Sequence, residues 1–260
     1  MNHKEIISQI IEWLKNYSHK SNTKGYVVGV SGGIDSALTS TLCAMTGFPT
    51  LCLDMPISQN RKEQERGLNH ISWLQKNNQN VKSLTVDLSN TFESFKQSVE
   101  KKCDKNLLAL ANARSRIRMS TLYYHATINN FLVVGTGNKV EDFGVGFYTK
   151  YGDGGVDISP IADLFKTEIF KISSYLGINK DILDAKPTDG LWDDGRTDED
   201  QIGANYEELE WAMKQKDNGM SEDNFLDREK KVFQILEKFN RENLHKMKPI
   251  PVFSVSEKLR

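Results

Sequence analysis

YVVGVSGGIDSALTSTLCAM, Tyr26 to Met45, decides how the rest of the chain is read. Tyr26 to Val30 is a short apolar run of strand length, and Ala37 to Met45 is rich in small and apolar residues that suit the first turns of a helix. Between them lies Ser31-Gly32-Gly33-Ile34-Asp35-Ser36. Adjacent glycines let backbone amides approach a ligand closely, and the helix start that follows offers unpaired N–H groups and the positive end of a dipole. Strand, turn and helix therefore form an anion cradle. The bland alternative is a helix capped by Asp or Ser with glycines for the turn. The order of residues is neither G-x-x-x-x-G-K-[ST] nor G-x-G-x-x-G, so the usual triphosphatase and dinucleotide fingerprints fit poorly.

The 260 residues suffice for one large α/β domain, and one domain spanning 1–260 is the expectation. A net charge of −1 supplies no electrostatic reason to expect nucleic acid or an anionic membrane as partner. Cys43, Cys52 and Cys103 lack C-x-x-C spacing and read as thiols of a reducing compartment. The amino-terminal segment places Ile6, Ile7, Ile10, Ile11 and Leu14 at helical spacing with charges between, unlike a secretory signal. No run approaches the roughly 18 apolar residues of a membrane span. These features point to the cytoplasm.

Downstream, 50–55 and 83–88 read as further strands and 131–134 as a fourth, alternating with helices at 58–76, 91–102 and 106–129. Such alternation implies a mainly parallel twisted sheet flanked by helices, a Rossmann-like α/β fold whose ligands bind beyond the carboxyl ends of the strands. The loops after Val30 and Val134 should share one mouth. Asp54 ends the second strand, to reach a nucleoside hydroxyl or simply to face water. Residues 163–176 are helical in pattern, 187–201 carry five aspartates and two glycines and read as a mobile loop, and a charged amphipathic helix over 221–243 leads to a proline-bearing tail reaching 260.

Ser-Gly-Gly-x-Asp-Ser resembles the pyrophosphate loop of the ATP pyrophosphatases, which have the adenine-nucleotide α-hydrolase fold. A second segment, GTGNKVEDFGVGFYTKYGDGGVDISPIADLFK from Gly135 to Lys166, is dense in glycine, aspartate and lysine. With the loop it resembles the signature of the NAD synthetases, and the likeness continues through Ser115 to Met119, Lys186 to Asp189 and His245-Lys246. The resemblance implies ATP-dependent adenylylation of deamido-NAD and its amidation to NAD. It implies ATP contacts at Gly29, Ser31, Gly32, Gly33, Asp35, Ser36, Thr136, Lys166 and Thr188, and Mg²⁺ on Asp35 and Glu141. It assigns Arg116, Lys150, Asp157, His245 and Lys246 to the dinucleotide and implies a homodimer. Arg116 and Arg118, two apart on a helix, point to different faces, and Arg116 is taken as the ligand contact. Asp153 is the candidate to deprotonate ammonium, with Asp157 the runner-up.

Glutamine-dependent members carry an amidohydrolase domain ahead of the synthetase part, and about 25 residues precede Tyr26, so ammonia is the expected donor. Gly137 to Val140 departs from the Asp-His-Ala-Ala-like stretch of some bacterial members, and Glu141 to Lys150 is one residue longer. The competing readings are another pyrophosphate-loop enzyme, acting on tRNA or resembling GMP synthetase, and a non-catalytic adenine-nucleotide sensor.

Overall fold

The computed structural model of the chain describes residues 1–57, 61–99, 106–185, 187 and 197–260. Four parallel strands, β1 (Tyr26–Gly29), β2 (Thr50–Asp54), β3 (Val81–Thr85) and β4 (Leu132–Val133), form a sheet in the order β3-β2-β1-β4. Tyr26 pairs with Thr50 on one side and with Leu132 on the other. The chain thus leaves β1 toward β2 and returns through two helices to the opposite edge. The crevice at this switch of direction, between the ends of β1 and β4, is where such sheets bind ligands.

Both faces of the sheet are covered, as parallel strands require. Tyr26 and Val28 point into a core with α1 (His3–Lys20), α2 (Ile34–Met45), α6 (Lys166–Tyr175) and α7 (Lys180–Leu183), where Leu14, Leu38, Leu42, Ile169 and Ile172 are fully buried. Val27, one residue out of phase, joins Leu53 and Val133 in the opposite core with Phe92 of α4 (Ser89–Val99) and Ala113 and Ala126 of α5 (Leu107–Asn129). α3 (Arg61–Asn77) covers β2 and β3 through Ile71 and Leu74. A further core joins the π-helical segment Val140–Val145 to α8 (Asp198–Ile202), α9 (Tyr206–Asp217) and α10 (Asp227–Met247) through Leu209, Phe233 and Leu236.

Several boundaries differ from those the sequence suggests. β3 ends at Thr85, because Asp87 Oδ1 accepts from Ser89 N at 2.9 Å and turns 86–88 into the lead of α4. α6 starts at Lys166, where Glu168 accepts from Phe165 N and the buried Glu210 of α9 accepts from Thr167 N. A 3₁₀ turn, Glu222–Asn224, delays α10 to Asp227. Residues 198–201 of the expected loop are helical behind the Thr197 cap, whereas 188–196 of it lie outside the described residues, as do 186, 58–60 and 100–102 of the expected helices and Cys103. Asp54 is buried and accepts from Gln64 Nε2 at 2.9 Å and Thr85 Oγ1 at 3.2 Å, so it neither faces water nor reaches the crevice.

His70 of α3 is fully buried, and its Nε2 lies 3.0 Å from Ser40 Oγ, which donates to Ser36 O in the first turn of α2. With the Ser40 proton so committed, Nε2–H is the donor. Burial pushes the imidazole pKa down to about 4, so the folded chain holds His70 neutral where the unfolded chain protonates it. The contribution to stability is whole above the ordinary histidine value and is lost as pH falls from there through the folded pKa. From about pH 7.5 to about pH 5 this group should cost the wild type on the order of 2 kcal/mol. Urea unfolding of His70→Gln, which keeps a donor toward Ser40 and does not titrate, should lack that increment.

Candidate active site

Gly29 and Val30 end at a turn held by its own hydroxyls. Ser36 Oγ accepts from Ser31 N at 3.2 Å and donates to Gly33 O at 3.0 Å, while Gly33 N donates to Ser31 Oγ at 3.2 Å. Gly32 has φ +86°, and a Cβ there would meet Glu63 O at 2.4 Å, so only glycine allows α3 to press on the turn. Gly33 stands at the N-cap of α2 without a side-chain cap, which leaves the amides of the first turn for a ligand.

The turn opens into a cavity of about 680 Å³. Ser31, Gly33, Asp35 and Ser36 line it from β1 and α2; Thr136, Glu141 and Asp142 come from beyond β4, and Lys166 from α6. The two loops share one mouth, as expected from the strand order.

At its base Lys166 Nζ donates to Asp35 Oδ2 at 2.6 Å and to Glu141 Oε1 at 3.0 Å. Asn138, fully buried, donates to Asp35 Oδ1 at 3.2 Å and accepts from the backbone amides of Val140 and Glu141. Tyr206 Oη donates to Glu141 Oε1 at 2.6 Å. Burial disfavours every charge here. For Asp35 burial wins over the Lys166 ammonium, helped by the facing Glu141, and its pKa is raised. Burial also acts on Glu141, but Lys166 and the Tyr206 and Asn138 hydrogen bonds overcome it and hold the carboxyl below its usual range. The two carboxylates outweigh the desolvation of Lys166, which stays protonated. Asp142, on the same wall, is pushed up to about 8 by burial and by the charges of Glu141, Asp153 and Asp35.

Above this base, α5 and α10 grip the segment 146–153. Asp153 Oδ1 accepts from Ser115 Oγ at 2.6 Å and Thr149 N at 3.0 Å, and a Cβ on Gly152 would lie 2.3 Å from Ser115 Oγ. Asp153 keeps surface in solvent at the rim, yet its carboxyl is ringed by protein and its pKa is raised by desolvation. Lys246 Nζ donates to Gly146 O and Tyr148 O, both at 2.9 Å, and Lys150 Nζ donates to His245 O at 2.6 Å.

The expected nucleotide set is therefore assembled: Gly29, Ser31, Gly33, Asp35, Ser36, Thr136 and Lys166 line the cavity, and Gly32 shapes its turn. Thr188 lies outside the described residues. The expected dinucleotide set is spread out. Lys246 lines the cavity, whereas Arg116 lines a separate apolar groove on the far side of α5 and donates to Lys150 O at 3.3 Å. Arg118, not Arg116, faces the cavity, with Nε donating to Met55 O at 3.0 Å. Asp157 accepts from Tyr123 Oη at 3.0 Å and Val133 N at 2.8 Å, so its carboxylate braces β4. Sequence reasoning missed Asn138, Tyr206 and Glu210. Asn138 stood inside the quoted Gly135–Lys166 segment, while Tyr206 and Glu210 carry no local signal.

The sheet, its switch point and the turn after β1 define a Rossmann-like α/β protein built to hold an anionic nucleotide. Residues 6–250 match NAD synthase, and the chain belongs to that family. An NH(3)-dependent NAD(+) synthetase from Methanosarcina mazei is 37% identical over 252 residues, 94% of this chain and 96% of that protein. The NMN synthetase of Francisella tularensis superposes with a TM-score of 0.85 at 31% identity, covering 98% of this chain and 100% of the other. The NH3-dependent NAD synthetase of Campylobacter jejuni gives 0.80 at 26%, with the same coverage.

Removing the ammonium alone would leave two largely enclosed carboxylates facing each other. Lys166→Met should lose about 3–5 kcal/mol at neutral pH. The deficit should shrink on acidification, because the folded variant then takes up a proton that relieves the pair. Chemical denaturation at two pH values measures both.

Proposed function

We propose that the protein is an ammonia-dependent NAD synthetase, which adenylylates the nicotinate carboxylate of deamido-NAD with ATP and then replaces AMP by ammonia. The observation that carries this reading is the convergence of Asp35 and Glu141 on Lys166 at the base of the turn after β1. A turn of open amides suits pyrophosphate, and two carboxylates beside it suit the divalent ion that accompanies ATP.

A carboxylate is a poor acceptor for an amine at neutral pH because its leaving group would be oxide. In the first step a nicotinate oxygen attacks the α-phosphorus, the bond to the bridging oxygen breaks, and pyrophosphate departs with the electron pair. The amides of the first turn of α2 and the Lys166 ammonium neutralise charge on the phosphate oxygens, in a site already organised before substrate enters. In the second step ammonia adds to the acyl carbon and AMP leaves. Asp153, with its raised pKa and its two donors, takes the proton from ammonium. Thr136 and Thr188 complete the ATP contacts.

Asp35 and Glu141 are hard oxygen donors, and Mg²⁺ commonly takes one or two carboxylates and fills its shell with phosphate and water, so the donor set fits this ion. When bound, it supplies positive charge to the phosphate oxygens.

The chain is a single synthetase domain that works in the cytoplasm, where Cys43 and Cys52 remain free thiols. No described helix is long and apolar enough to cross a membrane. A homodimer completes the dinucleotide site. α5 exposes Leu107, Tyr124 and Ile128, and a groove of about 810 Å³ runs between it and α4 beside Arg116. An apolar helix face of this extent marks an interface. Arg116 lines this groove and donates to Lys150 O, and Asp157 accepts from Tyr123 of the same helix, so a second copy seated here would come close to part of the expected dinucleotide set.

The decisive assay is pyrophosphate release from ATP with deamido-NAD, with ammonium or glutamine as donor. Nicotinate mononucleotide runs beside it, because one similar structure is an NMN synthetase. Ammonium with the dinucleotide should be the productive pair; binding of ATP without turnover on either acceptor would favour a nucleotide sensor. Asp153→Asn should still release a first equivalent of pyrophosphate yet form the amide about 100-fold more slowly, the scale of a lost general base. Rapid-quench measurement of the two products separates the steps. Tyr124→Asp with Ile128→Asp should yield monomers on sedimentation and raise KM for the dinucleotide more than for ATP.

A further inference from the structure

α3 makes an unusually close approach to the turn after β1. The backbone of Glu63 and Gly67 packs on Gly32, and a Cβ built on Gly32 would sit 3.4 Å from Arg66 Cβ. Arg66 is thus rooted against the middle of the turn, and its side chain lines the same cavity as Ser31, Gly33, Asp35 and Ser36.

The other cations of this wall are occupied. Lys166 is bound by two carboxylates, Lys246 by two carbonyls, and Arg118 donates to Met55 O with Asp54, Asp153 and Glu63 close enough to act on its charge. Arg66 makes one long hydrogen bond, from Nε to Gly32 O at 3.4 Å, and no ion pair among the described residues. A half-buried guanidinium with free donors beside the open amides that begin α2 is matched to a phosphate group, which accepts the planar fork in two parallel bonds.

We infer that Arg66 binds the β- and γ-phosphates of ATP and the departing pyrophosphate, a role that rests on the adenylylation reading above. Its place on α3, against the middle of the turn whose amides receive pyrophosphate, sets it beside the part of the phosphate chain that leaves. As the bond from the α-phosphorus to the bridging oxygen breaks, the electron pair and its charge move onto the β-phosphate. A guanidinium there holds the leaving group in both nucleotide and product.

The test is direct titration of the full chain with Mg²⁺-pyrophosphate, Mg²⁺-ATP and AMP by calorimetry. AMP lacks the two outer phosphates and so reports whether the rest of the nucleotide site is intact, while the Arg66→Lys variant separates a lost charge from a disturbed turn. For Arg66→Ala, affinity for pyrophosphate and ATP should fall about 10- to 100-fold, the scale of charge-assisted bonds, while AMP stays within about twofold. Arg66→Lys should recover part of the loss as a point charge without the fork. Wild-type affinities for all three ligands in Arg66→Ala would overturn the inference; so would an equal weakening of all three, which would make Arg66 a support of the whole site, and so would an Arg66→Lys variant no better than Arg66→Ala, which would make it a support of the turn. If the wild type binds neither ATP nor pyrophosphate, the adenylylation reading fails and takes this inference with it; wild-type binding with an unaffected Arg66→Ala removes the inference alone.

Discussion

Lys166 Nζ, 2.6 Å from Asp35 and 3.0 Å from Glu141, is the interaction on which the arrangement of this molecule depends. It joins the turn after β1, the π-helical segment beyond β4 and the start of α6. Each charge would be expensive to bury alone, and together they satisfy one another. Asp35 and Lys166 stand 131 residues apart, so their bond also fixes how the carboxy-terminal half sits over the sheet. The cluster has one more negative than positive charge, a balance suited to receiving a divalent cation together with phosphate.

Around this centre the second half of the chain acts as a brace. Tyr206 reaches Glu141 from α9, and one turn later Glu210 of the same helix accepts from Thr167 N and Oγ1 at the start of α6. One short helix thereby orients a carboxylate and caps the helix that begins with the lysine. The π-helical segment that carries Glu141 ends at Gly146 with φ +65°, where Asn243 and Lys246 of α10 hold the chain. π-Helical turns concentrate at functional sites because an added residue rotates the following side chains into new directions. Here the π-helical turn carries both Glu141 and Asp142 to the cavity wall.

Much of this was legible locally. The apolar run at Tyr26, the glycines and hydroxyls of 31–36 and the small residues of α2 each state a backbone preference, and the alternation that follows implies parallel pairing. The spacing of Arg116 and Arg118 correctly separated their faces, yet which of them meets the cavity depends on how α5 rolls against β1, and the structure turns Arg118 inward. Asp54 looked like a strand-end carboxylate available to solvent or ligand. Gln64 and Thr85, from neighbouring elements, claim it.

By itself the sequence determined the strand, turn and helix that make an anion cradle, the class of sheet that presents it, and the family to which the chain belongs. The cradle and the sheet follow from short-range periodicity and from residue types whose chemistry is spelled out within a few positions, and the family from the likeness of the Gly135–Lys166 segment to the NAD synthetase signature. The tertiary structure alone decided that Tyr206 and Glu210 serve the site, that Asp157 braces β4 and that Arg66 stands over the turn. Contacts between distant elements depend on strand order and helix packing, and no local stretch encodes which buried charge will find which partner.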